Sequence, residues 1–165
     1  MISVGGENLI DLVSGNAGAN GLPHYVANPG GSPFNVAMAA GRQGQEVAYL
    51  TPISEDALGD LLANHLVQSH VKLAAPRVPH PTSLAVVSIT DGIPSYAFHR
   101  NDTAERQVTM DGLQRNMPAP TRIFHVGSLA LIGGDDAATW ETFFAACQQR
   151  GLVTSRDPNA PPGLS

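Results

Sequence analysis

Two glycines, a serine, a proline and an asparagine share the short stretch Gly30-Gly31-Ser32-Pro33-Phe34-Asn35. Glycine reaches backbone angles closed to other residues and lets a ligand approach the main chain. Ser32 is placed to cap a following helix, and Pro33 suits its first turn. Asn35 would then aim its amide back at the glycines, so that backbone N–H groups and a side-chain amide face one polar ligand. The same spacing also describes a plain strand-to-helix connection. Two further groups could share the ligand. Asp11 lies towards the end of a β-like run over residues 2–13, where open α/β sheets bind ligands, or it serves as a turn or cap residue. Arg100 follows an alternating segment over residues 95–99. It can offer a planar fork of N–H donors to hydroxyls or phosphate, or stand exposed at a strand end.

These groups need a scaffold, and the hydrophobic pattern supplies one. Residues 34–42 read as a helix of small apolar side chains stopped by Gly44. A Gly- and Asn-rich loop over residues 15–23 precedes a short strand at 24–28, and another strand follows at 46–52. Leu58, Leu61, Leu62, His65 and Leu66 recur at helical spacing within residues 56–69. The β-branched run at 82–90 and the segment at 95–99 flank Asp91-Gly92-Ile93-Pro94, a hairpin pattern. Residues 121–129 form a continuous apolar strand ending in Gly-Ser, residues 134–150 a helix, and residues 151–159 a strand and turn.

Composition narrows the function classes. With 165 residues, 42% hydrophobic and 14% charged, the chain is long enough for one globular core. A formal charge of −5, with Lys72 as the sole lysine, gives no basic stripe for nucleic acid. No apolar run has the length of a membrane span, and the N-terminus lacks a basic-then-apolar leader, so a cytoplasmic location is expected. Cys147, the single cysteine, sits in an apolar helical run and reads as a packed thiol. His65, His70 and His80 do not fall at the i, i+4 spacing that would pair imidazoles on a helix, and no metal site is expected. Val4-Gly5-Gly6 lacks the Gly-x-Gly-x-x-Gly turn of a dinucleotide-binding oxidoreductase.

Gly30-Gly31, Asn35 four residues on, then Ala37, Ala39, Ala40, Gly41 and Gly44 resemble the first signature of the ribokinase-type (pfkB) carbohydrate kinases. Ser54-Glu55-Asp56-Ala57-Leu58-Gly59 is similar to that family's acidic turn, and the His125-x-Gly127-Ser128 strand end resembles fructokinase-like members. The resemblance implies an α/β fold, a ribokinase-like three-layer sandwich with a mostly parallel central sheet and a small β-sheet lid, truncated. Residues 1–165 would be the N-terminal part of a single kinase domain, with lid strands near 9–13, 24–28, 82–90 and 95–100 inserted into the core. It implies that Asp11 hydrogen-bonds sugar hydroxyls, that Gly30, Gly31 and Asn35 hold the sugar, and that Arg100 assists. By the same resemblance, Asp157 and Asn159 lie near the phosphate-transfer cleft. The implied activity is ATP-dependent phosphorylation of a fructose-like ketose or related sugar on a hydroxyl, with ATP and Mg2+ as cofactors of an intact member.

The chain also departs from the family. Glu105 stands where the family commonly has aspartate, Pro161 where an arginine often follows, and residues 160–164 depart from the family pattern. The resemblance covers about the first half of the family, and the second signature, Gly-Ala-Gly-Asp with its catalytic base, does not occur in this sequence. No catalytic residue is therefore expected here, nor tight nucleotide or Mg2+ binding by this chain alone, and an uncovered strand edge should cause association or poor solubility. The expected partner is a small-molecule sugar, with a homodimer through the lid as a further arrangement and no nucleic acid or membrane. The alternative reading is a non-catalytic sugar-binding or dimerisation fragment.

Overall fold

The computed structural model describes residues 1–15, 20–90 and 93–158. From the N-terminus, β1 (Ile2–Gly6) crosses into β2 (Leu9–Ser14), and β3 (Tyr25–Gly30) returns to deliver the chain to α1 (Ser32–Arg42). There follow β4 (Val47–Tyr49), the two-residue β5 (Ile53–Ser54), α2 (Ala57–Gln68), β6 (Val71–Leu73) and β7 (Arg77–Val78). The hairpin of β8 (Ser83–Thr90) and β9 (Ile93–His99) leads through a 3-10 turn (Ala104–Arg106) to α3 (Met110–Asn116). Finally β10 (Ile123–Gly127), a second 3-10 turn (Ser128–Leu131), α4 (Asp135–Gln149) and β11 (Val153–Asp157) complete the described chain.

Five strands form a central sheet in the order β11-β10-β1-β4-β6, and each pairing in it is parallel. Successive residues of a strand point to opposite faces, and β1 shows what covers each. Val4 packs in one cluster with Phe34 and Ala37 of α1 and Leu62 and Leu66 of α2. Gly5 faces the indole of Trp140 on α4 so closely that a Cβ would collide with the ring. On that second face Trp140, Phe143 and Cys147 pack with Phe124 and Val126 of β10. Helices therefore lie on both faces of the sheet, the arrangement a buried parallel sheet requires.

A second sheet has the order β3-β2-β8-β9, antiparallel at both outer pairs and parallel between β2 and β8. Its strands overlap the four segments expected near 9–13, 24–28, 82–90 and 95–100. Ile93 and Pro94 sit in the ladder opposite Thr90 and Ile89 rather than in the hairpin turn. Pro94 is tolerated there because β9 is an edge strand. The expected turn residues Asp91 and Gly92 lie outside the described residues, as does Asn159. Within the described chain no helix is long and apolar enough to cross a membrane.

Candidate functional site

Register places Asp11 of β2 between Asn28 of β3 and Ala85 of β8, and Ala85 in turn opposite Phe98 of β9. Residues in register share a face, so Asn28, Asp11, Ala85 and Phe98 form one row across the second sheet. Leu129 and Ile132, in and just after the second 3-10 turn, pack towards this face against Leu9, Ala85 and Phe98. Gly30 belongs to the same face, and a Cβ there would collide with the Asp11 carboxylate. Among the described residues no donor bonds that carboxylate, and partial burial raises its pKa above the ordinary value. A half-buried acceptor left in this state is ready for a ligand's hydroxyl hydrogens.

The start of α1 differs from expectation. Gly31, not Ser32, is the N-cap, and its φ of 111° suits glycine. A Cβ on Gly31 would stand 2.5 Å from the Glu7 carbonyl oxygen, which also excludes a side chain. Ser32 lies inside the helix and makes no cap bond. Its N–H donates to Glu7 Oε1 at 3.0 Å, and its hydroxyl donates to Asp157 Oδ2 at 2.6 Å. Pro33 has no N–H, so the helix start offers fewer donors to a ligand than its sequence suggests. Asn35 is exposed, and its N–H serves an ordinary helical bond to Gly31 O at 2.9 Å.

Arg100 is neither solvent-exposed nor loosely held. It is only 8% exposed, and it meets both oxygens of Glu105 at 2.7 and 3.2 Å. A third bond runs to the Leu129 carbonyl at 3.0 Å. Ser83 donates to Glu105 at 2.9 Å, so the pair is stitched into β8 as well. The glutamate that departs from the family's aspartate thus fixes the orientation of Arg100. The guanidinium also borders a cavity of about 320 Å³ with Phe98, Asn101, Arg106 and Ile132.

Asp157 ends β11 opposite Gly127, where a Cβ on the glycine would stand 2.7 Å from that of the aspartate. Through Ser32 it reaches the glycine turn. Asp11, Gly30, Gly31, Arg100 and Asp157 are therefore grouped around the carboxyl ends of β1, β10 and β11, where open α/β sheets bind ligands. Asn35 is exposed near the start of α1. Glu7 was not singled out by sequence. It is buried, accepts from Ser32 and also from the Ala130 N–H at 3.2 Å, and its pKa is raised to about 7. Burial drives that rise, the backbone N–H groups of Glu7, Ser32 and Ala130 oppose it, and the Glu105 charge adds to it. No group of three or more His, Cys, Asp or Glu able to hold a metal occurs among the described residues.

The family model described as "pfkB family carbohydrate kinase" matches residues 2–164. The chain belongs to the pfkB family of carbohydrate kinases. This pfkB chain is 32% identical over 167 residues to a fructokinase of Rhizobium leguminosarum bv. trifolii, covering 99% of itself and 50% of that protein. It is 32% identical to the probable fructokinase-6, chloroplastic, of Arabidopsis thaliana, covering 93% of itself and 41% of that relative. The crystal structure of fructokinase from Xylella fastidiosa superposes with a TM-score of 0.88 at 26% identity, over 99% of this chain and 55% of that one. A second structure of the Xylella enzyme has bound ATP. The ribokinase-like fold, with its mostly parallel sheet between helices, is thereby shown. The chain spans about half the length of the relatives it matches.

Proposed function

We propose that this chain supplies the sugar-binding half of an ATP-dependent ketose kinase, with the second sheet as a lid and a fructose-like sugar as ligand. The observation that carries this is the Asp11 carboxylate, which lies over Gly30 without a donor among the described residues and shares a sheet face with Phe98, against which Leu129 packs. A carboxylate and an aromatic ring on one sheet face, two strands apart, suit a polyhydroxylated ring, whose hydroxyls donate while its C–H face packs. Gly30 and Gly31 form the close-approach floor, Asp11 fixes hydroxyls, and Arg100, held by Glu105, contributes its remaining N–H groups. Asn35, exposed near the start of α1, adds an amide to this set.

Phosphoryl transfer depends on positioning and on stabilising the charge of the moving group. ATP and Mg2+ would supply that group and part of that stabilisation. The described residues contain neither a glycine-rich phosphate loop nor a carboxylate cluster for the metal, and no transfer step is assigned to them. Calorimetric titration with fructose, ribose, glucose and ATP tests the reading, with fructose binding and ATP silent as the expected result. Adding the carboxyl-terminal half of a fructokinase relative in trans then separates the kinase reading from that of a non-catalytic sugar-binding fragment. Restored fructose-dependent ATP turnover supports the first, and binding without turnover the second.

A further inference from the structure

Glu7 lies where β1 crosses into β2, and its buried carboxylate reaches two turns from distant parts of the chain. Oε1 accepts the Ser32 N–H at the start of α1, and Oε2 accepts the Ala130 N–H in the 3-10 turn after β10. The first turn carries Gly30 and Gly31 beneath Asp11, and the second carries Leu129, whose carbonyl holds Arg100. One carboxylate thus ties the turn beneath Asp11 to the turn that holds Arg100.

We propose that Glu7 is the positioning residue of this pocket: its ionised carboxylate holds the Gly31-Ser32 and Leu129-Ala130 turns in the one register that fits a polyhydroxylated ligand against Asp11. The nature of the ligand rests on the sugar-binding reading above, whereas the staple itself does not.

The charge state matters because both groups facing the carboxylate are donors. An ionised carboxylate accepts on both oxygens, while a protonated one turns an oxygen into a donor with nothing opposite to receive it. Charged and titratable groups surround Glu7 from several elements. From the chain after β9, Arg100 and Glu105 neutralise each other. Asp157 of β11 accepts from the Ser32 hydroxyl, and Asp11 of β2 lies over Gly30. From β4 the Tyr49 hydroxyl donates to the carbonyls of Gly6 and Glu7, and its pKa lies far above the usual range through burial. On β10, burial holds His125 below the ordinary imidazole value, against the pull of Asp157. Glu7 itself is raised to about 7.

The test follows the Ser32 and Ala130 amide resonances and the Glu7 carboxyl carbon of the full 165-residue chain by NMR, without sugar, across the neutral range. All three should move together with a midpoint near 7, and in Glu7→Gln both amides should stay flat. Fructose titration should then show about fivefold tighter binding on the alkaline side, the worth of one hydrogen bond, with the difference gone in Glu7→Gln. Amides that stay fixed while the carboxyl titrates overturn the proposal. Should Glu7→Gln fail to fold, the wild-type titration decides by itself. If the amides move and fructose gives no heat at any pH, the staple is supported and the sugar reading falls.

Discussion

Asp11 and Glu7 are both carboxylates raised by burial, and their partners set them apart. Asp11 has no described donor, so its removal should spare the fold and harm the ligand. Asp11→Asn is expected to keep or slightly raise the unfolding midpoint while weakening fructose binding roughly 10- to 100-fold, the loss of charge-assisted hydrogen bonds. A thermal melt beside a calorimetric titration checks both halves, and unchanged affinity would remove Asp11 from the site. Glu7 makes a different demand. Its folded pKa of about 7 stands above the ordinary 4.5, so the folded state binds its proton more tightly than the unfolded one. The stability it contributes is complete below 4.5 and is lost as pH rises through 7. Holding the ionised form at alkaline pH therefore costs the fold on the order of 3 kcal/mol. Urea unfolding across this range should show wild type losing about that much relative to Glu7→Gln. Parallel curves for the two proteins would contradict it.

At the scale of elements, the second sheet joins the core at crossings tied by polar side chains. Asn8 donates to the Pro52 carbonyl at 3.1 Å between β1 and β2. Asp56 caps α2 through the Gly59 N–H at 2.7 Å and also accepts from the N–H and hydroxyl of Thr82 at 2.8 and 2.6 Å, just before β8. Arg100 and Glu105 tie the exit of β9 to its 3-10 turn. Glu105→Gln leaves the buried guanidinium without its counter-charge and should destabilise by about 3–5 kcal/mol. If the linkage between sheet and core is what this pair provides, hydrogen exchange in β9 should quicken more than in β4, and equal acceleration in both would refute it. These ties also explain what could be read from sequence. The helix after Gly31 was legible because its small residues, Pro33 and the Gly44 stop are local signals. The capping role given to Ser32 was not its own, because the carboxylate that meets its N–H lies 25 residues earlier, in the crossing between β1 and β2. The two readings of Arg100 both missed Glu105, an acid five residues on that only the turn brings back. Met110, Leu113 and Met117 carried a helical spacing for α3, but Gly112 within it and Pro118 behind it leave a helix of seven residues.

For the molecule as a whole, the decisive feature is how the central sheet ends. β11 is its outermost described strand on one side, and nothing among the described residues pairs with its far edge. Val153 on that strand is 64% exposed although its register partner Ile123 is half-buried. Two positions on, Ser155 meets His125 Nδ1 at 3.0 Å, while the buried Nε2 of that imidazole has no partner among the described residues. Parallel sheets are stable when both faces are covered, and an unpaired strand edge invites pairing with another chain. The relatives are about twice as long as this chain, so further structure beside β11 is what such an edge would accept. In its absence the 165-residue chain should self-associate with rising concentration. Val153→Lys, which places a charge on the exposed edge without touching the clusters around Phe34 or Trp140, should shift the population towards monomer while leaving the unfolding midpoint nearly unchanged. Sedimentation velocity over a concentration series measures this. A wild-type chain that remains a single monomer at every concentration would show that the edge is protected, and the argument from β11 would then fail.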